Sequence, residues 1–112
     1  MTTIYHNPRC SKSRQTLALL VENGIEPEVI EYLEAPPSAA ELKKILTLLG
    51  IGPRGLLRKN EAKDAGLDDP NMADDALIDA MAANPVVIER PIVVHNGRAA
   101  LGRPPESVLD IL

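Results

Sequence analysis

The chain has 112 residues, of which 45% are hydrophobic, and it carries a formal net charge of −4 at pH 7. This size predicts one compact domain, residues 1–112, with a modest core. The acidity and the scarcity of aromatic residues, Tyr5 and Tyr32 only, argue against a nucleic-acid partner, which needs basic surfaces and stacking platforms. No secretory signal and no membrane-spanning apolar run is present, so we expect a cytoplasmic protein without a membrane partner.

The first third of the chain predicts a strand, a helix and a second strand. Residues 2–6 are typical of a short strand. Leucines at helical spacing follow, with Ser11 or Ser13 as the expected cap and Asn23-Gly24 as the stop. Residues 28–32 predict the second strand, which should run parallel to the first because a helix joins them.

Residues 36–84 predict a helical insertion. Ser38 and Glu41 match a capping box at the start of its first helix, and Gly50 would end that helix. The rest of the insertion predicts a short helical turn, a polar loop and a further helix, over residues 54–58, 61–70 and 74–83.

The last part of the chain predicts a hairpin and a final helix. Asn96-Gly97 is a strong turn signal between apolar strands at residues 91–95 and 98–101, with His95 facing solvent near the tip. Residues 106–112 predict a helix after two prolines. The element order predicts an α/β protein of the thioredoxin/glutaredoxin-like plan, a small mixed four-stranded sheet with flanking helices.

Cys10 is the only cysteine, and it lies where the first strand turns into the first helix. Unpaired N–H groups at a helix start, together with nearby Arg9 and Lys12, stabilise a thiolate or a bound oxyanion. Ser13 stands where the second cysteine of a Cys-x-x-Cys motif would be, so a redox cycle needs an external thiol. The alternative is an inert, buried cysteine.

Two neighbours could support the thiolate. His6, four residues before Cys10, could favour the thiolate by charge or hydrogen bonding, or could simply be satisfied by backbone at the strand end. Ser13 and Thr16 could bond the thiolate, or could cap and line the helix. The residues alone leave these alternatives open.

Four separated motifs resemble, in order, those of the glutaredoxin-coupled arsenate reductase family: HNPRCSKSR at residues 6–14, LLRKN at 56–60, RPIVV at 90–94 and GRP at 102–104. The resemblance implies that Cys10 attacks arsenate and that Arg58, Arg90 and Arg103 hold the oxyanion. It also implies a cis peptide bond before Pro91. Taken singly, each arginine would be interpreted as a surface charge or a carboxylate partner.

The function implied is a cytoplasmic reductase that converts arsenate to arsenite, with glutathione as reducing co-substrate and glutaredoxin as partner. We expect no bound cofactor and no metal. A monomer is expected because no heptad pattern or long apolar edge is present.

Two alternatives differ in class or substrate. Redox-responsive transcription regulators of the same fold bind RNA polymerase, but many carry a true Cys-x-x-Cys switch, which Ser13 precludes here. A thiol oxidoreductase acting on another oxyanion or on a disulfide is the second alternative, because the arginines would hold phosphate or sulfate similarly.

Overall fold

The computed structural model describes residues 1–112 and divides the chain into two compact units. The first unit combines Met1–Ala35 with Arg90–Leu112, and the second is the continuous segment Pro36–Glu89. No helix in the chain has the length and apolar character needed to cross a membrane.

The first unit is built on a mixed four-stranded sheet, as predicted. Its strands lie in the order β2-β1-β3-β4, where β1 pairs parallel with β2 and antiparallel with β3, and β3 pairs antiparallel with β4. The parallel pair follows from the helical crossover and the antiparallel pair from the hairpin. The strands are β1 Thr2–His6, β2 Glu28–Glu31, β3 Ile92–His95 and β4 Arg98–Leu101.

Two helices cover this sheet: α1, Ser11–Glu22, and a C-terminal 3-10 helix, Pro105–Ile111. Their apolar faces meet the strands in a core of Ile4, Leu20, Val93, Val108 and Ile111. The helix predicted over residues 106–112 is present as a 3-10 helix. Its buried residues recur every three positions, which is the period of a 3-10 helix, and its two leading prolines supply no N–H groups.

The hairpin turn forms as predicted, because Asn96 and Gly97 both have positive φ, 48° and 81°. The expectation for His95 was wrong. His95 belongs to β3 and is half-buried, and its Nδ1 lies 2.6 Å from Oγ1 of Thr2 on the neighbouring strand. The hydrogen-bonding partner Thr2 on the neighbouring strand explains why His95 is half-buried. The alternation of residues along one strand does not show which residue lies opposite on the next strand.

The second unit is helical, with α2 at Ala39–Leu49, α3 at Lys59–Asp64 and α4 at Asp74–Ala83. Short 3-10 turns occupy Pro53–Leu56 and Pro85–Val87. Both signals that bound α2 are confirmed: Ser38 and Glu41 form the capping box, and Gly50 ends the helix with φ 70°. Helices α2 and α4 pack together through the buried Leu42, Ile45, Leu46, Leu77, Ile78 and Met81.

The polar loop predicted over residues 61–70 was wrong at its start, where α3 lies. Only Ala62 is buried in this helix, so the sequence shows no apolar periodicity there. Glu61 in the first turn and Lys63 in the last complement the helix dipole, and Gly66, with φ 73°, follows the helix end.

Candidate active site

Cys10 occupies the N-cap of α1. Its backbone is extended, and its carbonyl accepts a hydrogen bond from Arg14 N at 3.0 Å. No side chain caps the helix, so the prediction of Ser11 or Ser13 as cap was wrong. Because Cys10 itself takes the cap position, unpaired N–H groups of the first turn lie next to its thiol.

The turn that leads into Cys10 is fixed by four hydrogen bonds. Cys10 N donates to Asn7 O at 3.0 Å, and Arg9 N donates to Asn7 Oδ1 at 3.0 Å. From the first turn of α1, Ser13 Oγ accepts from Asn7 N at 3.0 Å and Arg14 Nη1 donates to Pro8 O at 2.9 Å. The sequence did not predict these roles of Asn7 and Arg14, because no residue pattern specifies a hydrogen bond between a side chain and a nearby backbone group.

The surroundings of Cys10 favour its thiolate. Burial raises the pKa of the Cys10 thiol, but hydrogen bonds from the backbone N–H groups of Ser13 and Lys12 and the charge and hydrogen bond of Arg90 outweigh burial, and the pKa lies below its ordinary value. Cys10 is half-buried and in no disulfide. The thiol therefore ionises more readily than an ordinary cysteine and is partly accessible to solvent.

His6 does not supply the positive charge that sequence analysis considered. It is buried, and burial lowers its pKa, with Glu31 opposing and Arg14 reinforcing that shift, so the imidazole is neutral near pH 7. Its Nδ1 lies 2.6 Å from Ser13 Oγ. Buried Thr16 donates to the carbonyl of Lys12 at 2.8 Å. The side chains of His6 and Ser13 thus hold the turn, and the Ser13 backbone contacts the thiolate.

Two of the three predicted arginines lie beside Cys10. Arg103 Nη2 lies 4.0 Å from Cys10 Sγ, and Arg103 Nε donates to Arg90 O at 2.7 Å. The Nε and Nη1 atoms of Arg90 are buried. Both arginines precede cis peptide bonds, to Pro91 and to Pro104, and the second of these was not foreseen. The only sequence feature that could have indicated the cis bond before Pro104 is that an Arg-Pro pair occurs on each side of the hairpin.

Arg58 belongs to the second unit. There it occupies the N-cap position of α3 without a side-chain cap, forms an ion pair with Glu61 at 3.1 Å, and places Nη1 3.5 Å from Val86 O. These contacts account for its position within that unit. Its assignment to the oxyanion stays a prediction.

An ionisable thiol, two guanidinium groups and a helix N-terminus thus converge in the first unit. Such a set can bind a tetrahedral oxyanion and attack its central atom. No group of three or more potential metal ligands occurs in the chain.

Known proteins resemble this chain over almost its whole length. The sequence profile of the ArsC family matches residues 5–111. The uncharacterized protein YfgD of Escherichia coli (strain K12) is 56% identical, covering 97% of this chain and 94% of YfgD. An arsenate reductase of Neisseria meningitidis serogroup A is 51% identical, covering 97% of this chain and 96% of that protein. The structure of an arsenate reductase from Vibrio cholerae is 54% identical, with a TM-score of 0.94, and covers 99% of this chain and 97% of that chain. The predicted fold class is thereby confirmed.

Proposed function

This chain belongs to the ArsC family, and on that premise we propose that it is an arsenate reductase with Cys10 as the nucleophile. The observation that carries the proposal is the Cys10 thiol, whose pKa is lowered, next to Arg90 and Arg103. A thiolate at neutral pH attacks an electrophilic centre far faster than a thiol. Because Arg90 and Arg103 are both cationic, they favour an anionic substrate.

The reaction begins when the Cys10 thiolate attacks the arsenic of arsenate, forming an S–As bond and expelling one oxygen as water after protonation. Glutathione then displaces a second oxygen. That second oxygen also leaves as water after protonation. The two As–S bonds then break as the two sulfurs join in a Cys10–glutathione disulfide, the arsenic keeps the two remaining electrons and becomes As(III), and one water adds to it to give arsenite. Overall, arsenate and two thiols give arsenite, one disulfide and water.

The two arginines hold the substrate and its charge. Arg103 faces Cys10 Sγ, and its Nε is tied to the Arg90 carbonyl, so the guanidinium is oriented before substrate arrives. Preorganised cations aimed at a charge that develops during reaction contribute on the order of a few kcal/mol each to catalysis. Arg58 would be a third binding group.

The need for an external reducing partner follows from the presence of a single thiol. Because Cys10 is the only cysteine, the mixed disulfide must be cleaved by another molecule. We assign this step to glutaredoxin, with glutathione as the small thiol, and place the reaction in the cytoplasm, where glutathione keeps thiols reduced. The same dependence makes an internal disulfide sensor impossible.

The proposal is tested with Cys10→Ser in an arsenite-forming assay that contains glutathione and glutaredoxin. We expect arsenite formation to fall to the background of free glutathione. Ser11→Ala, at an exposed neighbouring position of α1, is the matched control and should retain full activity. Unchanged turnover by Cys10→Ser would refute the mechanism, and wild-type activity on a disulfide with none on arsenate would favour the thiol oxidoreductase.

A further inference from the structure

A small polar groove lies on the β2 side of the nucleophile turn. It has a volume of about 150 Å³ and is lined by His6, Asn7, Pro8, Arg9, Glu31, Leu33 and Glu34. The hydrogen bond from Cys10 N to Asn7 O closes a turn, so the Cα atoms of Asn7 and Cys10 lie within about 7 Å of each other. The groove therefore borders the turn that carries Cys10, and no step proposed above uses it.

The groove lining carries charges of both signs. Arg9 lies in the turn after β1, whereas Glu31 ends β2 and Glu34 follows it. None of the three forms a salt bridge within the chain. Two unneutralised carboxylates disfavour a simple anion such as arsenate and favour an ammonium group, while the guanidinium favours a carboxylate.

The groove lining includes one buried polar side chain. His6 is only 6% exposed, its Nδ1 is occupied by Ser13, and its Nε2 makes no hydrogen bond within the chain. A ring nitrogen without a partner in the chain can exchange a hydrogen bond with a ligand. Exposed Leu33 adds an apolar contact for a methylene stem.

We propose that this groove binds the α-amino-acid end of the reducing thiol, the γ-glutamyl group of glutathione, with its ammonium on Glu31 and Glu34 and its carboxylate on Arg9. The volume has room for about five waters, which suits one amino-acid head group and not a whole tripeptide. The cysteinyl sulfur of the same molecule then extends toward Cys10. This inference rests on the proposed function for the identity of the thiol.

The experiment is a chemical double-mutant cycle on the full-length protein. S-methylglutathione and its analogue without the amino group are titrated against wild type and Glu31→Gln/Glu34→Gln, with binding followed by amide NMR shifts. Wild type should lose about tenfold in affinity when the amino group is removed, and the double variant should bind both ligands equally weakly. Glu28→Gln, exposed on the same strand but outside the groove, is the matched control and should behave as wild type.

Kinetics separate this inference from the function on which it rests. The double variant should raise KM for glutathione about tenfold and leave KM for arsenate unchanged. An amino-group effect of equal size in wild type and double variant, or shifts that bypass residues 6–9 and 31–34, would overturn the groove assignment while arsenate reduction stands. If the wild type reduces no arsenate, the proposed function fails, and the NMR cycle still decides the groove.

Discussion

At the residue scale, opposing electrostatic effects set the pKa of the Cys10 thiol. Burial disfavours the thiolate, whereas backbone N–H groups of the first turn and Arg90 favour it and prevail. The two stabilising contributions differ in origin, since the N–H groups belong to the helix start and Arg90 arrives from the segment before β3. Substitution can therefore remove one without the other.

Arg90→Gln should raise the pKa of Cys10, because it removes both a cation and a hydrogen bond from the thiolate. Activity depends on the thiolate and is lost as pH falls through that pKa, so the acid limb of the kcat/KM profile should move to higher pH. Ultraviolet titration of the thiolate measures the pKa directly. Arg98→Gln on β4, at an exposed position, is the control, and an equal shift in both variants would contradict a specific role of Arg90.

His6 should make the protein sensitive to mild acid. Burial lowers its folded pKa below the unfolded value of about 6.5, so between the two values the unfolded state binds a proton that the folded state does not. The free energy of unfolding should therefore fall as pH drops through about 6.5. Urea titrations of wild type and His6→Gln over this pH range give the measurement. A parallel decline in both proteins would exclude His6 as the cause.

At the element scale, most helices and strands could be predicted because their signals are local. The capping box at Ser38, the stop at Gly50 and the hairpin at Asn96-Gly97 each act over two to four residues, and all three are present. Helix α3 was missed because a six-residue helix with one buried alanine leaves no periodic pattern. Local signals identify element ends better than they identify short polar elements.

The capping box gives a prediction for α2. Ser38→Ala removes the side-chain acceptor of Glu41 N and should lower the free energy of unfolding by about 1 kcal/mol. Thr47→Ala is the matched control, since Thr47 is exposed on the same helix and bonds only the carbonyl of Lys43; its effect should stay within about 0.5 kcal/mol. Chemical denaturation measures both. Equal losses would mean that the cap is not the source of the stability.

At the scale of the whole molecule, the site could be predicted only in part. Cys10 was found from its uniqueness and its position, and Arg90 and Arg103 were found through family resemblance, although they lie 80 and 93 residues further along the chain. The hydrogen bonds that join Asn7, Ser13 and Arg14 to the turn were not predicted, because they link side chains to backbone groups in a geometry that no residue pattern specifies. A net charge of −4 likewise gave no hint of a cationic site.

Arg58 is the residue whose role depends most on the whole molecule, because its contacts with Glu61 and Val86 explain it within its own unit. If it also binds the oxyanion, Arg58→Gln should raise KM for arsenate by about tenfold or more. Glu61→Gln breaks the same ion pair but keeps the guanidinium, so it should leave that KM unchanged and lower the free energy of unfolding by no more than about 1 kcal/mol. Steady-state kinetics with arsenate as the varied substrate distinguish the two variants. Equal KM values for Arg58→Gln and Glu61→Gln would restrict Arg58 to its contacts with Glu61 and Val86 and leave Arg90 and Arg103 to hold the oxyanion.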